Sequence, residues 1–167
     1  MPHVPFESLP DSARVWVFGS DKPVGADGAA QLLAATDEFL ARWAAHGAPL
    51  HASRDWRESR FLTIAVDQRQ AGASGCSIDG LFRTLQGLES TIGASMLGGG
   101  RVYYRDKSGA VQSVARDEVE VLATQGAIGR ETTVFDTTVT TLGDWRQRFE
   151  TTAAESWHAQ LLPEAVR

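Results

Sequence analysis

Along this chain the hydrophobic positions switch between strand-like and helix-like spacing, and the switches lay out the elements. Arg14–Phe18 (RVWVF) is rich in β-formers and stops at the turn cluster Gly19-Ser20-Asp21, which predicts a strand. Leu32, Leu33, Thr36, Phe39, Leu40 and Trp43 recur at helical spacing, so a helix is expected over 29–46 with Asp27 as its N-cap. Gly47 can take a positive φ to close it, and Pro49 prevents its restart. Asp55, Arg57, Glu58 and Arg60 cluster around Trp56 and read as a solvated charged turn. The apolar run RFLTIAV, Arg60–Val66, then predicts a buried strand ending at Asp67.

Gly72–Gly75 forms a small-residue loop. After it, Ile78, Leu81, Phe82, Leu85, Leu88 and Ile92 fall at steps of three and four, the strongest amphipathic pattern in the chain. That helix is expected to start at a Ser77 cap and to end at Gly93. Met96–Gly100 is a glycine-rich connector. Val102–Arg105 and Val111–Ala115 predict a hairpin turned at Lys107-Ser108-Gly109. Asp117 can cap a short helix carrying Val119, Leu122 and Ala123 and stopped at Gly126. A strand over Thr132–Phe135 and a helix over Leu142–Phe149 complete the pattern. The order predicts an α/β (α+β-like) fold: a mixed sheet with helices, an N-terminal βαβα unit over 1–98 and a C-terminal ββαβ(α) module over 99–167. Two tightly packed halves and one compact domain both fit this order.

Composition narrows the function classes. In 167 residues there is one cysteine, which excludes an internal disulfide framework and a cysteine-only zinc site. The formal net charge is −5, and no Lys/Arg cluster tracks along a helix face. Nucleic-acid binding and attachment to an anionic membrane are therefore not expected. MPHVPFE lacks a basic start followed by an apolar stretch, so no secretory signal is expected, and the chain reads as soluble and cytoplasmic. The histidines lack H-E-x-x-H spacing, and G-x-G-x-x-G, the phosphate-loop motif and the G-x-S-x-G elbow are all missing. No metal or cofactor is expected.

The most informative segment for chemistry is AGASGCSID, Ala71–Asp79, which joins a predicted strand to the strongest helix. With Ser77 as N-cap, Cys76 stands just ahead of the helix, where the dipole lowers a thiol pKa. Cys76 is then a candidate nucleophile. Ser74, Gly75, Ser77 and Asp79 would frame a site for a small anionic or carbonyl-bearing ligand, and Asp67 would orient Arg69 or that ligand. Among the histidines, His158 is the preferred partner base, because Trp157 beside it suggests a docked tail. The competing reading makes Cys76 a small buried hydrophobe and Asp79 an ordinary helix-start carboxylate.

Two resemblances accompany these readings. VWVF, RFLTIAVD and SGCSID together resemble a family of small uncharacterised bacterial proteins, some labelled "ABC transporter ATPase", a label at odds with the missing nucleotide motifs. Over Val102–Trp145, Gly126, Ile128, Thr132, Val134, Phe135 and Trp145 match a pattern similar to GYF-type domains of the bacterial second class. The glycine-proline before the helix is absent, and Thr137–Thr141 replaces a glycine-methionine. That resemblance implies a protein or peptide partner, with Tyr103 and Tyr104 as aromatic contacts for a polyproline helix. Strand alternation alone would instead turn one of the two tyrosines inward.

Overall fold

The computed structural model describes residues 4–45, 48–49, 51–69 and 75–166, excluding the side chains of residues 44, 45, 48, 49 and 75–77. Its first sheet contains β1 (Arg14–Gly19), β4 (His51–Arg57) and β5 (Phe61–Asp67), ordered β1-β5-β4 with both pairings antiparallel. Between β1 and β4 run α1 (Ala26–Arg42) and a small ribbon of β2 (Ala44–Ala45) and β3 (Ala48–Pro49). Helix α2 (Gly75–Ile92) follows β5. The second sheet is also antiparallel, ordered β7-β6-β8-β9. Its strands are β6 (Arg101–Arg105), β7 (Val111–Ala115), β8 (Thr133–Phe135) and β9 (Glu150–Thr152). Helices α3 (Val119–Thr124) and α4 (Leu142–Arg148) complete a mixed α/β fold.

Every residue of β5 is buried, and a strand with no polar face needs cover on both sides. On one side Leu62, Ile64 and Val66 pack with Leu32 and Leu40 of α1 and Leu81 and Leu85 of α2. On the other, Phe61 and Ala65 meet Tyr103, Phe135 and Phe149 from the second half. The far face of the second sheet carries Val102, Tyr104 and Val134, covered by Val119 and Ala123 of α3 and by Leu162 of the tail. The layers therefore run helices, sheet, sheet, then α3 and tail, and the two halves share the middle core. Phe61 is its centre: Phe135 stacks on it at 4.8 Å, while Tyr103 and Phe149 meet it edge-on at 5.0 and 5.3 Å.

Several expectations are corrected. Helix α1 begins at Ala26 and ends at Arg42, because Trp43 leaves helical geometry (ψ 129°) to bury its ring against Phe39 and Trp16. Asp27 lies in the first turn, where its charge favours the helix dipole, not at the cap. Asp55, Trp56 and Arg57 belong to β4, not to a charged turn. Strand β4 is polar because it is an edge, and its charges are paired: Arg54 forks onto Asp37 of α1 at 2.8 and 2.9 Å, and Arg57 binds Asp55 at 2.7 Å. Only Glu58-Ser59-Arg60 turns, with positive φ at Glu58 and Ser59 and with Arg60 buried. Strand β9 has no signal in the hydrophobic pattern, because its own residues stay outside the core while Phe149 and Ala153 on either side of it are buried. Gly47, expected to close α1, lies outside the described residues.

Candidate functional site

Strand β1 is an edge strand, and its open side is where the surface folds inward. Its first residues are capped by the segment after β8: Val15 N–H donates to Thr140 C=O at 2.9 Å, and Leu142 N–H donates to Ala13 C=O at 2.9 Å. Arg14 and Thr141 form an antiparallel bridge there. Because Val15 N–H points away from β5, antiparallel alternation sends the N–H and C=O of Val17 the same way. The capping segment does not follow them, because the Thr138 N–H and hydroxyl both donate to Asp136 Oδ1, at 2.9 and 2.5 Å. Beyond Thr140 the two chains diverge and a cleft of about 310 Å³ opens. Along it, Val15 C=O, both polar groups of Val17 and Gly19 N–H have no backbone partner among the described residues.

The walls combine apolar surface with positive charge. Phe82 of α2 with Met96 and Leu97 of the connector form one side, and Thr137–Thr140 form the other. Arg14 stands at the capped end, with its guanidinium over the Trp16 ring at 5.2 Å. Arg101 stands near Gly19 and donates to the hydroxyl and carbonyl of Ser113 at 2.6 and 3.0 Å. Among the described residues neither arginine makes an ion pair. Behind them Arg60 is buried and donates to the neutral Ser20 carbonyl at 3.0 Å; burial pulls its pKa down. Tyr103 closes the floor with its hydroxyl donating to Gly19 C=O at 2.8 Å, and burial pushes its phenol pKa up. Among the described residues, Asp21 is the acidic group that acts electrostatically on Arg60 and Tyr103, so arginines outnumber acids around the floor.

Asp136 holds the threonine wall. Its buried carboxylate also accepts from Arg148 Nη1 at 3.0 Å and from Trp157 Nε1 at 3.2 Å. Trp157 stacks on His158 at 4.0 Å and lies under Arg116 at 4.7 Å. His158 is 3% exposed, shares a 2.7 Å hydrogen bond with Ser156 through Nδ1, and has its pKa lowered to about 4 by burial. The docked tail is thus part of the wall's support.

The residues singled out in the sequence are distributed differently from the expected site. Ser74 lies outside the described residues, as do the side chains of Gly75, Cys76 and Ser77. The backbone of these last three forms the first turn of α2, so Ser77 is the third helical residue and not the cap, and Cys76 stands within the turn. Asp79 is the fifth helical residue and exposed. Asp67 is claimed by Arg69, which binds it with side chain and backbone; that hydrogen bonding holds the carboxyl below its usual pKa range. His158 sits with the tail beyond the second sheet, whereas α2 covers the far face of the first, so the layers do not bring Cys76 and His158 together. Tyr103 and Tyr104 are both buried, on opposite faces of a sheet covered on both sides, so neither ring forms the expected open aromatic surface.

One buried group near α2 stands apart. Trp43 Nε1 has no hydrogen-bond partner among the described residues. A Cβ on Gly28 would meet Ile92, and one on Gly80 would meet Phe39, so α1 and α2 run antiparallel in close register. Extending that register puts Trp43 level with the first turn of α2.

The cleft residues Arg14, Val17, Phe82 and Arg101 left little trace in the sequence. The one available signal was a strand, RVWVF, beginning with an arginine and ending at Gly19. No group of three or more His, Cys, Asp or Glu suited to a metal occurs among the described residues, and none of their helices is long and apolar enough to cross a membrane. Compared with protein-family models, curated proteins and solved structures, the chain matches none.

Proposed function

We propose that this chain is a binding protein, and that it holds a small anion-bearing ligand in the cleft along the open edge of β1. The observation that carries the proposal is the pair Arg14 and Arg101, two arginines without ion pairs among the described residues, on the walls of a cleft that also exposes strand amides. Anions gain from a guanidinium fork and from backbone N–H donors, here those of Val17 and Gly19. A volume of about 310 Å³ stands at the small end of ligand sites. The groups that line the cleft bind and orient; a cytoplasmic binding role suits them better than bond-breaking.

The test is a titration of the whole chain with inorganic phosphate and with acetate, followed by amide NMR. Saturable shifts at Val17 and Gly19 that disappear in Arg14→Gln/Arg101→Gln are expected. Unsaturable shifts, or shifts unchanged in the double variant, would overturn the proposal.

A second reading keeps Cys76 as a reactive thiol. The observation favouring it is that Trp43 Nε1, level with the first turn of α2, has no partner among the described residues and is a donor suited to a bound carbonyl or anion. Alkylation rates decide it. A reactive Cys76 modifies well faster than glutathione near neutral pH, and Trp43→Phe changes its rate; a rate equal to glutathione's removes this reading.

A further inference from the structure

We infer that the ligand of the cleft is the C-terminal stretch of an extended peptide, which joins β1 as an antiparallel strand and ends with its carboxylate at Arg14. The inference rests on the binding role proposed for the cleft and names its ligand class. Its basis is that the open edge offers acceptors as well as donors. Val15 C=O and Val17 C=O alternate with Val17 N–H and Gly19 N–H, the repeat of a β-ladder. A carboxylate such as acetate has no protons for the two carbonyls, and a phosphate does not present donors and acceptors at the spacing of a ladder. A peptide backbone presents donors and acceptors in the same alternation, and adding it to a sheet edge satisfies all four groups.

The direction follows from how the edge is capped. The segment at Thr140–Leu142 already runs antiparallel to β1 and occupies the ladder from Ala13 to Val15 N–H. A second strand entering beside Val17 meets that segment at the Val15 end and must stop there. If it runs antiparallel, the end that stops is its C-terminus, and Arg14 stands at that end with no ion pair among the described residues. Val15 to Gly19 spans about 14 Å at the usual ~3.4 Å rise, enough for roughly four peptide residues. The residue opposite Val17 points with it toward Val139 and Tyr103. Its neighbours point to the helix side, against Phe82, Met96 and Leu97, and should be apolar.

The experiment uses the whole chain and degenerate pentapeptide mixtures with free or amidated C-termini, with retained peptides identified by mass spectrometry. Retained peptides are expected to need the free carboxylate and to carry apolar residues at alternate positions. Amidation should weaken binding about tenfold or more, the value of a lost charge-assisted hydrogen bond, and Arg14→Gln should erase that difference. N-methylation along a retained peptide should hurt at every second residue only. No retained peptide, equal retention of amides, or an N-methyl scan without alternation overturns the inference. The phosphate and acetate titration separates the two claims. If those anions still shift Val17 and Gly19, the cleft binds anions and only the peptide assignment falls; if they do not, both fall.

Discussion

A methyl group on Gly19 would come within 2.6 Å of the Tyr103 ring and hydroxyl, the same hydroxyl that bonds Gly19 C=O. Only glycine lets the phenol lie against the strand, so this one position sets how β6 docks beside β1 and where the cleft floor sits. Gly19→Ala is expected to cost about 1–3 kcal/mol in urea unfolding, as overpacking does. Tyr103→Phe, which removes only the hydrogen bond, should cost about 0.5–1.5 kcal/mol. Equal, negligible losses would show that the contact is loose. His158 makes a second residue-scale prediction. Its folded pKa of about 4 lies below the unfolded value of about 6.5, so the unfolded chain takes up the proton first. The associated stability is complete above about pH 6.5 and is lost as pH falls toward 4, by on the order of 3 kcal/mol. His158→Asn, which keeps a partner for Ser156 but does not titrate in this range, should show a shallower pH dependence between 7 and 4. Parallel curves would remove His158 as the cause.

At the scale of elements, α2 was plain in the sequence because six apolar residues repeat at helical spacing; its position was not. The pattern treats Phe82 as equal to Leu81 and Leu85. In the fold both leucines are fully buried, whereas Phe82 is half-buried, edge-on to Phe18 at 5.5 Å, and forms part of the cleft wall. Leu85→Ala is therefore expected to cost about 2–5 kcal/mol, and Phe82→Ala only about 2 kcal/mol despite the larger ring. The comparison is made by denaturant midpoints; a Phe82→Ala cost above that of Leu85→Ala would place the ring in the core. Strand β4 illustrates the opposite failure. Asp55 and Arg57 look like part of a solvated turn because nothing in the spacing shows that they pair along a strand, or that α1 lies across that strand and brings Asp37 to Arg54. The candidate cleft was illegible for a similar reason: besides Arg14 and Arg101, which only the fold brings together, its polar groups are main-chain atoms of Val15, Val17 and Gly19, and side-chain patterns say nothing about which backbone groups go unpaired.

Over the whole molecule the two halves are bound by a common aromatic core and by bridges across it. Trp145 Nε1 donates to Thr63 Oγ1 at 3.0 Å, and Arg105 joins Glu58 to Glu150 at 2.8 and 2.7 Å. The Arg105 bridges are part-exposed and add little by themselves, so the coupling comes from Phe61 and its ring partners. Phe61→Ala should cost about 3–5 kcal/mol and lower the stability of both halves in one transition. Coincident unfolding curves from tryptophan fluorescence and from amide signals in each half would bear this out; separate midpoints would show two independent units.

What the sequence determined by itself was local: which segments are amphipathic, where glycines at positions 93, 109 and 126 let the chain turn with positive φ, and that β5 needed cover on both faces. Those properties depend on neighbours a few residues away. Tertiary structure alone decided that the sheets are antiparallel and stacked, that both tyrosines are buried, that His158 packs with the tail behind the second sheet and away from the first turn of α2, and that β1 keeps an open edge. Each depends on which distant surface arrives as a partner, and side-chain spacing along one segment carries no record of that surface.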